Sequence, residues 1–242
     1  MTGGAGHSSK QYDAELGGVQ AKVLEMGKLV EMQFRDAVHA FCERDGDVAN
    51  RVILRDGTVN RLEVALDEAC IRLIVRRQPT ADDLRTTVAA LKVSTDLERI
   101  GDEITKIARS VKDLQADGTR LDNYDLFIHS MADTAAVMLH DALSAYERMD
   151  KVQAVHVIAM DDVLDSVFNE MMRSLVEFMA VESASTASAL NILWVAKAME
   201  RIGDHATNIG EHVVYGVSGI DIRHTDFVQR QSAVPARDAG RE

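Results

Sequence analysis

The sequence predicts an all-α protein built as two tandem three-helix bundles from an internal duplication, and three observations carry that expectation. First, Glu98-Arg99-Ile100-Gly101-Asp102 recurs letter for letter as Glu200-Arg201-Ile202-Gly203-Asp204, 102 residues further on. The match extends outward, with Leu91, Val93, Thr105 and Ile107 answering to Leu193, Val195, Thr207 and Ile209. Second, helix breakers are scarce: Pro79 and Pro235 are the only prolines among 242 residues, and helix-favouring residues abound. Third, apolar residues recur at helical spacing through six long stretches, and no stretch alternates as a strand does.

The six helices follow in order. The first runs from about Tyr12 to Glu43, and Asp45-Gly46-Asp47 turns the chain. The second continues to about Arg77, where Gln78-Pro79-Thr80 breaks it. Thr80 then suits an N-cap, with Asp83 three residues on as a capping-box-like partner. The third helix runs to about Leu114, and Asp117-Gly118-Thr119 links the repeats. The fourth spans about Asp122 to Arg148, the fifth Asp150 to Ala180 and the sixth Ser185 to Tyr215, with Gly216 and Gly219 as its stop. Each helix of about 30 residues is then about 45 Å long, and short turns between amphipathic helices make an up-down-up bundle. The expected units are residues 10–116 and 120–218. Residues 219–242 form a polar tail, aperiodic from Arg223 on and expected to be disordered.

Composition excludes several functions. A formal charge of −12 argues against nucleic-acid binding, which needs a basic face, and against an anionic membrane surface. Cys42 and Cys70 lack CxxC spacing and fall in apolar helical stretches, so they read as reduced core thiols in a cytosolic compartment. Met1 to Lys10 has no apolar signal-peptide core, and no stretch approaches a membrane span.

The candidate chemistry is the acid pair inside the repeated segment. On a helical wheel Val93, Leu97, Ile100, Ile104, Ile107 and Val111 share one arc, and Glu98 and Asp102 lie together beyond its edge. Small residues, Ser94, Gly101 and Thr105, separate the acids from the core, while Lys92, Arg99, Glu103 and Lys106 project away. The sixth helix repeats the layout with Glu200 and Asp204 beside Ala196, Gly203 and Thr207. Two acids at i, i+4 repel by roughly a few tenths of a kcal/mol, and an interior glycine costs about 1 kcal/mol relative to alanine. A cation between the acids, with glycine allowing close helix approach, would compensate both. Further oxygen ligands are available from Asp56 and Asn60 on the second helix and from Asp161 and Asp165 on the fifth. The second helix extends this polar row through Glu63 and Asp67, where the fifth carries Phe168 and Met172. An all-oxygen set suits hard cations such as Mg²⁺, Ca²⁺ or Mn²⁺, with iron also possible. The plainer alternative is a solvated acidic face or a set of partners for arginines on a neighbouring helix. His205 and His212 have no counterparts in the first copy and read as surface or packing histidines. A Glu-x-x-His di-iron motif, a nucleophile triad, a phosphate-cradling glycine loop and a dinucleotide fingerprint are all missing.

Gln78-Pro79 with Asp83-Leu84-Arg85, followed by Asp96 to Asp102, resembles the first half of the PhoU family, and Ala198 to Ile209 resembles its second half. The resemblance covers about residues 10–218. It implies two spectrin-repeat-like three-helix bundles side by side, often paired as homodimers. It also implies a cytoplasmic, non-enzymatic negative regulator of phosphate uptake and of the phosphate regulon. Such a protein is an adaptor for the ATPase of the phosphate-specific ABC transporter and for a sensor histidine kinase, reaching the membrane only through these partners. Some members hold multinuclear metal clusters on (Glu/Asp)-x-x-x-Asp pairs, with iron, manganese, magnesium, zinc or calcium as candidates. That role carries over to Asp56, Glu98, Asp102, Asp161, Asp165, Glu200 and Asp204, with neutral Asn60 standing where an acid is common. Two other classes remain: a metal-dependent hydrolase working in the acidic groove, and a metal-free structural scaffold.

Overall fold

The computed structural model describes residues 5–117, 121–182 and 185–222, and among them finds six α-helices and no strand. The linker residues 118–120 and the tail from Arg223 lie outside the described residues. The helices are α1 (Ala5–Glu43), α2 (Gly46–Arg77), α3 (Ala81–Asp117), α4 (Asp125–Arg148), α5 (Lys151–Val181) and α6 (Thr186–Ser218), with a 3-10 turn at Asp122–Tyr124 before α4.

Local chemistry accounts for most of the boundaries. Asp45 caps α2 by accepting from the Asp47 and Val48 N–H groups, and Asp150 caps α5 by accepting from Val152 and Gln153. These matched aspartates satisfy first-turn donors that the helix cannot pair internally. α2 ends where Gln78 turns left-handed at φ 47° and Pro79 forbids continuation. At the start of α3, Thr80 contributes its backbone carbonyl, which accepts from Asp83 and Leu84. Gly216 does not stop the last helix. It lies inside α6, in close approach to Met149 and Ala89. Gly219, at φ 71°, is the C-cap, donating its N–H to the Tyr215 carbonyl at 2.8 Å. Ile222, which the sequence reading places in the polar tail, is buried.

Long-range side-chain bonds fix the helix directions. Arg77 meets Glu15 and Arg55 meets Asp36, so α1 and α2 run antiparallel. The Tyr12 hydroxyl donates to the Asp83 carbonyl, so α1 and α3 run parallel and the first unit is up-down-up. The two bundles meet through α3 on α6, the most extensive helix pairing, and through α1 on α4. Both crossings are antiparallel: Lys92 nears Tyr215 while Glu103 faces Arg201, and Gly27 lies against Leu143 while Glu31 meets His140. One continuous apolar core therefore runs through both units. The arc expected for α3 lines it, as do Val195, Met199, Ile202 and Ile209 at the matching positions of α6 and Val52, Val59 and Leu66 on α2. Cys70 is buried and Cys42 half-buried, neither in a disulfide, and burial raises the Cys70 pKa to about 11.

Candidate metal centre and inter-bundle hub

Antiparallel packing of α2 on α3 turns Asp56, Asn60 and Glu63 toward Glu98 and Asp102. Partial burial raises the Asp56 carboxyl above its ordinary pKa, and the Asp102 charge adds to it. Glu98 is raised by burial and then by Asp102 and Glu63, and Glu63 by burial and then by Asp67. Asp56 Oδ1, Asn60 Oδ1 and Thr105 Oγ1 are buried and have no hydrogen-bond partner. Thr105 lies close enough to Asp56 to temper its shift, but no aligned hydrogen bond joins them. Buried oxygens without donors cost free energy, and a cation would satisfy them.

The second site is built on the matching positions of α5 and α6, and its threonine is bonded differently. Thr207 Oγ1 donates to Asp161 Oδ1 at 3.2 Å. Asp161 is nevertheless raised, by burial and then by Asp165, Asp162 and Glu200. Asp204 rises to about 6 through partial burial and the charges of Glu200, Asp161 and Asp165, although its outer edge remains exposed. Lys197 donates to both oxygens of Glu200 at 2.5 Å and supplies a nearby positive charge. The fold thus brings Asp161, Asp165, Glu200 and Asp204 within electrostatic reach of one another, as it does Asp56, Glu98 and Asp102, with Asn60 one turn along α2 from Asp56. The donor chemistry fits a hard cation. In the side-chain arrangement described, no three His, Cys, Asp or Glu residues among the described residues close around one point suited to an ion.

The two glycines of the repeated segment serve different packing. A Cβ on Gly203 would lie 2.3 Å from Leu164 Cδ2, whereas one on Gly101 would meet Val59 Cγ1 at 3.4 Å and Asp56 Oδ1 at 3.5 Å. A methyl at 203 therefore forces Leu164 to shift, whereas one at 101 fits in ordinary contact.

Sequence reasoning missed a polar hub between the bundles. Asp96 on α3 is buried, and its carboxylate accepts from His205 Nδ1 at 2.9 Å, Asn208 Nδ2 at 3.1 Å and His212 Nε2 at 3.0 Å, all on α6. Burial alone would raise the Asp96 pKa, but these hydrogen bonds outweigh it and hold the carboxyl below its ordinary value. The two histidines are thus packing residues. A one-sided polar stripe at 205, 208 and 212 was the available signal. Glu103 corrects a second expectation: it does not project into solvent but is buried, bonding Lys106 at 2.8 Å and facing Arg201 of the other bundle at 3.7 Å. Lys92 is likewise half-buried, its ammonium 5.4 Å from the Tyr215 ring centre.

This geometry defines a class: helical proteins made of duplicated three-helix bundles, each carrying an acid pair on its last helix opposite a polar pair on its middle helix. The PhoU domain model matches residues 23–111 and 128–213, and the chain belongs to the PhoU family. It is 38% identical over 233 residues to the phosphate-specific transport system accessory protein PhoU of Escherichia coli, covering 96% of each chain. It is 41% identical over 219 residues to a PhoU homolog of a Burkholderia species, covering 90% of this chain and 93% of that one. Among solved structures, PhoU from Pseudomonas aeruginosa superposes with a TM-score of 0.83 at 38% identity, over 86% of this chain and all of that one. The phosphate transport system regulatory protein PhoU from Streptococcus pneumoniae gives 0.80 at 26% identity, over 87% of this chain and 98% of that one.

Proposed function

We propose that this protein is a cytoplasmic, non-catalytic regulator that damps phosphate uptake and the phosphate regulon when phosphate is plentiful. It acts as an adaptor on the ATPase of a phosphate-specific ABC transporter and on a sensor histidine kinase, as a homodimer. The observation that carries this reading is near full-length similarity to relatives named as accessory proteins of phosphate-specific transport. No helix among the described residues is long and apolar enough to cross a membrane, which suits a partner recruited to a transporter.

The two acidic sites hold metal ions in this reading: Asp56, Asn60, Glu98 and Asp102 in one, Asp161, Asp165, Glu200 and Asp204 in the other. Unpaired buried oxygens in the first and mutually raised carboxyl pKa values in both support it. Bound cations would neutralise the crowded carboxylates and tie each middle helix to its last helix.

The test replaces Glu200 by Gln and Asp204 by Asn together. The variant keeps its helicity, loses metal content by elemental analysis, and raises phosphate uptake and regulon expression in phosphate-rich cells. Unchanged metal content removes the metal assignment, and unchanged expression removes its regulatory role. Pull-down of the transporter ATPase and the kinase with purified protein, with and without added divalent metal, tests the adaptor function itself.

A further inference from the structure

The α1–α2 crossing leaves a cleft of about 300 Å³ at one end of the first bundle, between residues 15–22 of α1 and 69–76 of α2. Its floor is apolar, formed by buried Val19 and Leu73. Its walls are small, with Gly18 on α1 and half-buried Ala69 on α2. Its rim is basic: Lys22, Arg72 and Arg76 stand against one lining carboxylate, Glu15, which Arg77 already holds with two hydrogen bonds. Glu68 bonds Arg72, and neither Lys22 nor Arg76 is hydrogen-bonded to an acid among the described residues.

The glycine serves no packing within the chain. Gly17 and Gly18 lie inside α1, where each costs about 1 kcal/mol relative to alanine, and a Cβ on either would meet nothing within 4 Å. The basic character does not depend on cations in the acidic sites. The acidic row of α2 faces α3, with Glu63 near Thr95 and Arg99, and Asp67 in a pocket with Lys92 and Thr95. Asn60 precedes Ala69 by nine residues, about 14 Å along the helix. At the offset that relates Asp56 to Asp161, Arg72 and Arg76 answer to Glu177 and Val181, so these two arginines belong to the first copy alone.

We propose that this cleft docks an acidic helix of a partner protein, one apolar side chain seated over Val19 and Leu73 and carboxylates beside Lys22, Arg72 and Arg76. The proposal names the chemistry of a partner in the adaptor reading and rests on it. Charge complementarity selects this occupant: in a chain of formal charge −12, three rim cations against one paired carboxylate attract an acidic segment and repel a basic one. Each wall runs about 10 Å, two turns of a helix, and a glycine wall lets a partner backbone come close.

The probes are two labelled helical peptides of about 14 residues with the same Leu/Ala face, one flanked by glutamates and the other by lysines. Fluorescence anisotropy should show the acidic peptide bound and the basic one about tenfold weaker. Gly18→Leu fills the cleft and should weaken the acidic peptide about tenfold, as should Lys22→Gln/Arg76→Gln. Gly17→Leu, the neighbouring glycine outside the lining, should leave binding unchanged. Circular dichroism melts should place both leucine variants at or above wild type, because each removes an interior glycine. Failure of the acidic peptide to bind, equal binding of the two peptides, or a Gly18→Leu variant that binds like wild type overturns the proposal. Sedimentation with phosphatidylglycerol vesicles that is lost in Lys22→Gln/Arg76→Gln also overturns it, assigning the cleft to a lipid surface. Capture of the transporter ATPase and the kinase separates the two readings. If wild type captures them and Gly18→Leu does so equally, the docking cleft is wrong and the adaptor stands. If wild type captures neither, the adaptor reading fails and the peptide results decide the cleft.

Discussion

Replacing Gly101 and Gly203 by alanine, one at a time, tests whether the repeated motif has one structural purpose or two. An interior helical glycine gives up about 1 kcal/mol relative to alanine, so either substitution starts with that gain. At position 203 the new methyl meets Leu164 Cδ2 at 2.3 Å, and Leu164, only 1% exposed, has no solvent to swing into. Overpacking of this kind costs about 1–3 kcal/mol, which leaves Gly203→Ala between neutral and about 2 kcal/mol less stable. At position 101 the nearest atoms are at 3.4 and 3.5 Å, ordinary contact, so Gly101→Ala keeps most of its gain. The variants should differ by about 1–3 kcal/mol, and each kcal/mol moves the midpoint roughly 2–4 °C in a chain of this size. Thermal and urea unfolding, followed by circular dichroism in chelator, measure it. A Gly101→Ala variant destabilised as much as Gly203→Ala would refute the reasoning, because helix approach would then be equally tight in both copies.

Other expectations follow from the same structure. Asp96→Ala strips three hydrogen bonds, from buried His212 and half-buried His205 and Asn208, at about 1 kcal/mol each, so urea unfolding should show a loss of about 3 kcal/mol. Asp45→Ala and Asp150→Ala should each cost about 1 kcal/mol in the same assay, through first-turn donors left unpaired. The metal-free protein should become more stable as pH falls from 7 toward 5. Asp204 has a folded pKa raised to about 6, above its unfolded value, so the native state binds more protons in that window. Its exposed edge keeps the gain below what the full shift implies. Asp204→Asn should flatten the pH dependence of the melting midpoint in chelator, and an unchanged slope would contradict the crowding at that site.

Helix number, helix order and the apolar arcs were legible because periodicity and breakers are local signals. Val93 through Val111 needed only a wheel, and all six arc residues are fully buried. The pairing of acids across α2–α3 and α5–α6 was legible because short turns force sequential helices to pack antiparallel. The hub was not. Asp96 aligns with Ala198 in the second copy, so the duplication offered no echo of it. Glu103 sits on the wheel's outer side and is buried only because the other bundle covers it.

The sequence by itself therefore determined the six helices, the duplication and the acid pairs, all of which depend on contacts within a helix or between neighbours in the chain. Only the tertiary structure decided how the two units face each other. That arrangement makes Asp96 and Glu103 interior, and it turns His205 and His212 inward as donors to a carboxylate. It also separates the roles of two identical glycines. The physical reason is that burial between bundles depends on a partner surface about a hundred residues away, and no local period encodes that.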